Sequence, residues 1–427
     1  MIANLVRPVI TFPERSLSTQ IKMSMRGIFL GKSVFGNMAY LVKLAALGIL
    51  VFVFSPFALL VYLMRYRFLI VDTSQVGALQ FVDLTIRESL LGGSPYKIIL
   101  LAPVKFVANK FLLNLYSKYL TICSSTFINI LLMPFANNPF LRITTHRFCP
   151  SSKSSYHKRV WNKYQSDYGK PLIQFPESKI EECEAELAKI GYRQGTKFAG
   201  LHVRDSGFYK DLTRVTRNGD IEKYREAITF LIDRGITVLR LGSEDSSDFD
   251  YEYESQDSKF IDYSKSGVTS DTLDCFIWSQ GEFFLGSASG PANVPPMFGR
   301  PGCYTNIYPY NSCFWFHKND ISIVKPLYNT RSQKYLSLTE SFKHPIYYDP
   351  ASTSALREQG LELHFNTSEE ILSALREFLN CKEKDTVKSS EQQGLEEIID
   401  DPLRFWSFGG PGRVSTDFIK KYLIVKK

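Results

Sequence analysis

At 427 residues, with 44% apolar and 14% aromatic side chains, the chain carries enough apolar surface for two globular domains, which excludes a disordered or collagen-like protein. Its formal net charge is +8, and the excess sits at one end: residues 1–70 hold Arg7, Arg15, Lys22, Arg26, Lys32, Lys43, Arg65 and Arg67 against Glu14 alone. A nucleic-acid groove needs basic residues spread over the folded body, whereas basic charge beside an apolar segment suits an anionic lipid surface, so no nucleic-acid partner is expected and a membrane is.

The apolar segment runs from Leu44 to Met64 without a charge between Lys43 and Arg65, close to the ~20 residues that cross a bilayer as helix. Residues 1–66 therefore read as a basic segment with a membrane-anchoring helix at about 44–64. Pro56 permits a kink or a re-entrant hairpin, and the balanced basic flanks leave topology open. No short apolar region with a small-residue cleavage site precedes it, so the anchor is expected to persist. Seven cysteines, Cys123, Cys149, Cys183, Cys275, Cys303, Cys313 and Cys381, form no C-x-x-C pair; neither zinc nor a disulfide framework is indicated, and reduced thiols suit a cytoplasmic location.

Residues 67–176 read as a first Rossmann-like domain, assigned to the acceptor. Arg67–Val71 is a buried-type strand, Asp72–Gly77 a turn, and the stretch to about Leu91 a helix. Lys97–Leu101 is the next strand, Asn109–Tyr119 a helix, and Leu120–Cys123 a third strand. Alternation of this kind implies a parallel sheet. Pro139–Pro176, which includes Tyr156-His157-Lys-Arg159, is irregular and reads as a loop-rich edge or interdomain connection.

Residues 177–380 read as a second Rossmann-like domain, assigned to the donor nucleotide sugar. Glu177–Ile190 is a polar helix ended by Gly191, and Lys197–Val203 a strand. Asp220 caps a helix that buries Ile221, Tyr224, Ile228, Leu231 and Ile232 and stops at Gly235. Ile236–Leu241 and Phe260–Tyr263 are strands, Asp271–Ser279 a helix, Phe283–Leu285 a strand, and Gly286–Gly290 a turn into a short helix. Thr367-Ser-Glu-Glu370 is a capping box, so Asn366-Thr-Ser368 starts a helix through Leu379 rather than accepting a glycan. Residues 381–427 are a tail: Cys381–Gln393 reads as a charged flexible linker, and Trp406–Val425 as an apolar return onto the body. The expected fold is α/β, two Rossmann-like domains facing a cleft, preceded by the anchor.

Strand alternation puts Phe198, Gly200, His202 and Arg204 on one face, with the last two where the strand ends and ligands bind. Arg204 offers a planar fork for two phosphate oxygens and is the first catalytic candidate. His202 can orient a phosphate, and Asp205 can position Arg204 or a sugar. Gly286, Ser287, Ser289 and Gly290 form a small-residue turn of the kind that lets backbone N–H groups approach an anion. Gly242 and Ser243 end the next strand, and Asp262 ends another where a carboxylate can take ribose hydroxyls. Arg217 and Asn218, in the polar loop Lys210–Gly219, are assigned to the acceptor side. Asp274 reads as a structural cap or buried partner. Asp248-Phe-Asp250 has the form of a metal-binding pair but lies in an acidic run that reads as a solvated loop, so no metal site is assigned.

The ordered set Phe198-Ala-Gly-Leu-His-Val-Arg-Asp205, Arg217-Asn218, Asp220, Tyr224, Val238-Leu-Arg-Leu-Gly242, Asp262-Tyr263, Asp274 and Phe283-Phe-Leu-Gly-Ser-Ala-Ser-Gly290, followed by Val294-Pro295 and Phe298, resembles a family of bacterial glycosyltransferases. The resemblance covers Lys197–Asn306 closely and the amino-terminal half loosely, through Asp72–Gly77. That family is distantly similar to fucosyltransferases of the GT-B fold with a His-x-Arg-x-Gly-Asp motif. Through this similarity Arg204 corresponds to the arginine on the donor diphosphate, His202 to the histidine, and Ser287 with Ser289 to the later phosphate loop; metal-independent transfer is also implied. Asp205-Ser-Gly-Phe departs from the motif after the arginine, which detaches the resemblance from GDP-fucose as donor.

The leading expectation is a membrane-associated hexosyl-type glycosyltransferase, with cytoplasmic catalytic domains and no cofactor beyond the nucleotide-sugar co-substrate, acting on a cell-envelope glycan or lipid-linked acceptor. A second reading is a membrane-tethered nucleotide-binding scaffold without turnover. A hydrolase using His202 as base lacks a companion nucleophile motif such as Gly-x-Ser-x-Gly.

Overall fold

The computed structural model describes residues 34–93, 96–143, 156–205, 216–255, 258–310, 316–344, 353–384, 387–398 and 410–423. Most of the basic amino-terminal stretch, Cys149, Cys313, the Lys210–Val215 part of the polar loop and Trp406 lie outside them. The chain divides into two compact units, Met1–Arg147 and Phe148–Lys427.

In the first unit, helix α1 (Val34–Val53) and helix α2 (Ser55–Leu63) meet at a 59° bend. Among the described residues no single helix is long and apolar enough to cross a membrane, although the bent pair passes by length and composition together. The apolar segment expected as an anchor over 44–64 thus forms two helices with a bend near Pro56, the kink that residue was read to permit. Pro56, in the first turn of α2, has no N–H to continue α1, and the Ser55 hydroxyl donates to the Val51 carbonyl at 2.8 Å. Strands β1 (Tyr66–Leu69), β2 (Lys97–Leu101) and β3 (Thr121–Cys123) form a parallel sheet in that order, as the alternation predicts. Helix α3 (Leu79–Leu91) joins the first two strands, and short helix α4 (Lys110–Asn114) starts where the Asn109 side chain accepts the Leu112 N–H at 2.7 Å. An apolar helix, α5 (Thr126–Ala136), follows β3.

The second unit opens with α6 (Tyr156–Tyr168) and α7 (Ile180–Ala188). Its main sheet contains β4 (Phe198–His202), β5 (Thr237–Arg240), β6 (Phe260–Ile261), β7 (Phe284–Ser287), β8 (Gly302–Ile307) and β9 (Ile321–Val324). A small antiparallel sheet, β10 (Leu327–Asn329), β11 (Lys334–Tyr335) and β12 (Leu361–Leu363), precedes the last strand of the main one, β13 (Arg413–Val414). The main order is β13-β9-β8-β7-β4-β5-β6, every pairing parallel. The chain steps outward from β4 through β5 to β6, then crosses back so that β7 pairs with the free side of β4, and the remaining strands step outward the other way. The strand order therefore reverses between β4 and β7. Ile228, Leu231 and Ile232 of helix α8 (Arg225–Ile232) and Ile371, Leu375 and Phe378 of a long later helix (Ser368–Lys384) cover one face in a single apolar core.

Two sequence boundaries shift. The chain divides at 147/148 where 176/177 was expected: residues 156–168 form a helix rather than a loop, the Trp161 and Phe316 rings lie tilted at 4.6 Å, and Phe175 meets Phe276 edge-on at 5.7 Å. The stretch read as a flexible linker, Cys381–Gln393, holds the last turn of the long helix, with Cys381 buried, and the start of another helix (Ser390–Ile398). Gln392 donates to the Val414 carbonyl at 2.9 Å and to Glu377 at 3.0 Å, which pins this stretch to the edge strand. The described part of the tail packs back as expected, adding β13 and a helix (Thr416–Leu423). The capping box at Thr367 and Glu370 forms, at 3.1 and 3.2 Å. Among the described residues Cys123, Cys183 and Cys303 are free thiols.

Asp274, on helix α9 (Asp271–Gln280), is enclosed by protein and accepts the Tyr263 hydroxyl at 3.1 Å. Burial pushes its carboxyl up to about 7, with Asp271 adding a smaller push. The folded state therefore holds this proton where the unfolded chain releases it, so Asp274 is expected to lower stability as pH rises from about 4 to about 7, by at most about 1.4 kcal/mol per unit. Denaturant titrations of Asp274→Asn across that window should show a shallower pH dependence than the native chain.

Candidate functional site

All strands of the main sheet are parallel, so their carboxyl ends share one edge, and the reversal between β4 and β7 is the place on that edge where open α/β sheets bind ligands. His202 and Gly286 are register partners there. A Cβ on Gly286 would lie 2.1 Å from the His202 carbonyl oxygen; this glycine is set by close strand packing, a different reason from the anion approach inferred from the sequence. Gly290 lies in ordinary right-handed conformation, leading into the turn Pro291–Asn293.

The two strand exits are bonded to each other. The Arg204 N–H donates to Ser287 Oγ at 2.8 Å, the Arg204 carbonyl accepts the Gly219 N–H at 2.7 Å, and Ser289 Oγ lies 3.0 Å from His202 Nδ1. Ser289 Oγ also accepts the Ala292 N–H at 3.4 Å. Enclosure in protein lowers the His202 pKa to about 4, with the Arg204 and Arg240 charges reinforcing it against the opposing pull of Asp205. His202 is therefore a neutral imidazole at physiological pH and orients by hydrogen bonding rather than by charge.

A second network lies on the β5–β6 side. Arg240, only 1% exposed, donates to Asp262 at 2.7 Å and to the Ser247 carbonyl at 2.7 Å. Asp205 accepts the Ser247 N–H at 2.6 Å and lies 3.7 Å from the Arg240 guanidinium. Asp262 also takes the Ser264 hydroxyl at 2.5 Å. Each Asp262 oxygen thus has one protein donor, while its side chain keeps 19% exposure. Asp205 likewise anchors the turn after β5. Gly242 and Ser243 belong to that turn: a Cβ on Gly242 would meet Ser246 Oγ at 2.5 Å, and the Ser243 N–H donates to the same oxygen at 3.1 Å. Ser246 fills the space the glycine leaves. Asp248 has an exposed carboxylate 3.1 Å from Lys265.

Arg217 and Asn218 come to the strand ends. Arg217 donates to the Ala288 carbonyl at 3.4 Å, inside the serine turn. The Asn218 carbonyl accepts from Lys325, as does that of Thr216 at 2.8 Å. Lys325 directly follows β9, is 1% exposed and has the Phe365 ring 4.6 Å away. Burial, and then the Arg204 charge, bring its pKa down to about 7. Sequence reasoning missed it, although Ile321-Ser-Ile-Val-Lys325 repeats the pattern of an apolar strand ending in a cation that singled out Arg204. Lys325→Met leaves two buried carbonyls without their donor and is expected to cost about 1–3 kcal/mol, measured as a lower denaturation midpoint.

The site thus gathers Arg204, Arg217 and Lys325, the hydroxyls of Ser287 and Ser289, and neutral His202 around the strand-order reversal. The two arginine cations and the hydroxyl dipoles in this setting suit a phosphate-bearing ligand.

No protein-family model matches the chain, and no curated protein matches it. Among solved structures it is similar to the Escherichia coli ADP-heptose LPS heptosyltransferase II, at 14% identity over 74% of this chain and 99% of that one, with a TM-score of 0.42. It is also similar to a glycosyl transferase of family 9 from Veillonella parvula, at 10% identity over 61% and 85% and a TM-score of 0.38. A third, Escherichia coli heptosyltransferase WaaC with ADP, shares 12% identity over 61% and 91%, with a TM-score of 0.33. Likeness at this level fixes neither the activity nor the ligand of this chain.

Proposed function

We propose that the chain is a glycosyltransferase that moves a hexosyl-type sugar from a nucleoside diphosphate donor to a cell-envelope glycan or lipid-linked acceptor. One observation carries the reading: Arg204 and the Ser287–Ser289 turn are bonded together at the strand-order reversal of a parallel sheet. In such a transfer the anomeric carbon–oxygen bond to the diphosphate breaks, an acceptor hydroxyl oxygen takes its place, and the hydroxyl proton is released. Negative charge grows on the leaving diphosphate as the bond breaks. A preorganised cation at that oxygen stabilises the transition state more than the ground state. Arg204 is assigned this role. Lys325 and Arg217 tie residues 216–218 to the site, His202 and Ser289 orient the phosphate turn, and side-chain charge supplies what a divalent ion supplies elsewhere.

A panel of nucleotide sugars assayed for diphosphate release, with and without membrane extracts as acceptor source, tests the reading. Release from at least one donor is the expected result. A nucleoside diphosphate that binds while no donor turns over would favour the scaffold alternative.

A further inference from the structure

The first unit exposes an apolar surface that the sugar-transfer reading does not use. On α1 and α2, Ile49, Phe52, Phe57, Leu59, Leu60 and Leu63 are each more than half exposed, and only Ala58 of α2 is fully buried. The surface does not end with the bent pair. Helix α5 packs on it through the Phe54 and Phe135 rings, 5.6 Å apart, and through a core shared by Leu47, Ala58, Met133 and Ala136. Its outer side shows Phe127, Ile128 and Leu131 to solvent, with Phe140 beyond it 75% exposed. A single span would put only the bent pair, Ala45–Val53 and Ser55–Leu63, in hydrocarbon and would give α5 no reason to be apolar outside.

Charge indicates what covers this face. Residues 1–147 contain fifteen Lys and Arg against four Asp and Glu, and no acidic residue occurs between Glu88 and Asp167. At the carboxyl end of α2, Arg65 follows Met64, and the Arg67 guanidinium lies 3.8 Å over the Tyr62 ring. An apolar helical face with aromatic and basic residues at its border fits a helix lying in the plane of an anionic leaflet, with the apolar side at the acyl boundary and the cations among headgroups.

We infer that the first unit is an in-plane membrane dock, in which α1, α2 and α5 together enter one leaflet of an anionic bilayer, and that the 59° bend belongs to this arrangement rather than to a straight span. The inference does not depend on sugar transfer, and vesicle binding is read independently of turnover.

The test uses the full chain in flotation assays with vesicles of phosphatidylcholine alone or of equal parts phosphatidylcholine and phosphatidylglycerol. The expected result is binding to the anionic vesicles, weakened at about 0.5 M salt, where screening shortens the reach of surface charge. Phe127→Glu with Leu131→Glu should lower the partition coefficient by roughly tenfold or more, as should Phe57→Glu with Leu60→Glu. All four positions are solvent-facing, and unchanged thermal unfolding in detergent-free buffer verifies the fold. Brominated lipids should quench tryptophans introduced at Leu60 and at Leu131 from shallow acyl positions in both cases. Absence of vesicle binding overturns the inference, as does binding indifferent to the α5 charges or deep quenching at Leu60 with none at Leu131, the pattern of a single span.

Discussion

Replacing Arg204 by alanine is expected to lower turnover of the nucleotide sugar by about 10²–10³-fold, the range seen when one preorganised donor is taken from a site of developing negative charge. The substitution is clean because the backbone at 204 is held without the side chain. Its N–H is bonded to Ser287 Oγ and its carbonyl to the Gly219 N–H, so the strand exit and the loop 216–219 keep their positions. Arg204→Lys retains a charge but loses the planar fork, and an intermediate loss is expected. The relevant readout is kcat/KM from diphosphate release, with thermal unfolding as the control for fold. Native turnover in Arg204→Ala would remove the residue from the leaving-group role.

The largest effect on stability is expected at Arg240. Its guanidinium is buried against Asp262, the Ser247 carbonyl and, at longer range, Asp205, and Arg240→Ala would leave two carboxylates enclosed without their cation. Breaking a buried pair from one side costs about 3–5 kcal/mol; since the Asp262 side chain keeps 19% exposure, the low end of that range is expected. Arg240→Lys should recover little, because one ammonium cannot reach both Asp262 and the Ser247 carbonyl with the geometry of the fork. Replacing Arg240 and Asp262 together by apolar residues should restore part of the loss, which equilibrium denaturation of the single and double variants measures directly. A single variant as stable as the native chain would show that the network does not hold the β5 and β6 ends.

The alternation of apolar runs and capped helices made the second sheet legible from the sequence, since period and capping are local. Asp220, for example, accepts the Glu222 N–H at 3.1 Å and opens the helical segment it was expected to open. The reach of Arg204 toward the serine turn was legible for the same reason: both lie directly after apolar strands. What the sequence hid was non-local. Asp205 and Asp262 share the Arg240 guanidinium, 35 residues after the first and 22 before the second, a pairing no local pattern displays. Lys325 looks like a surface lysine until the fold brings it to the Thr216 and Asn218 carbonyls, more than 100 residues away. Gly286 was read for its turn, whereas its constraint comes from the neighbouring strand. The break at Phe54 matches the kink that Pro56 was read to permit, because a missing N–H is a local signal.

Calorimetric titration of ADP, GDP and UDP into the native chain and into Arg204→Ala tests the phosphate site at the strand-order reversal most directly. The account predicts that at least one of the three binds the native chain and that its affinity falls by roughly tenfold or more in the variant, as expected for loss of a charge-assisted pair. Equal affinity in the two proteins, or no binding of any nucleoside diphosphate to the native chain, would contradict it.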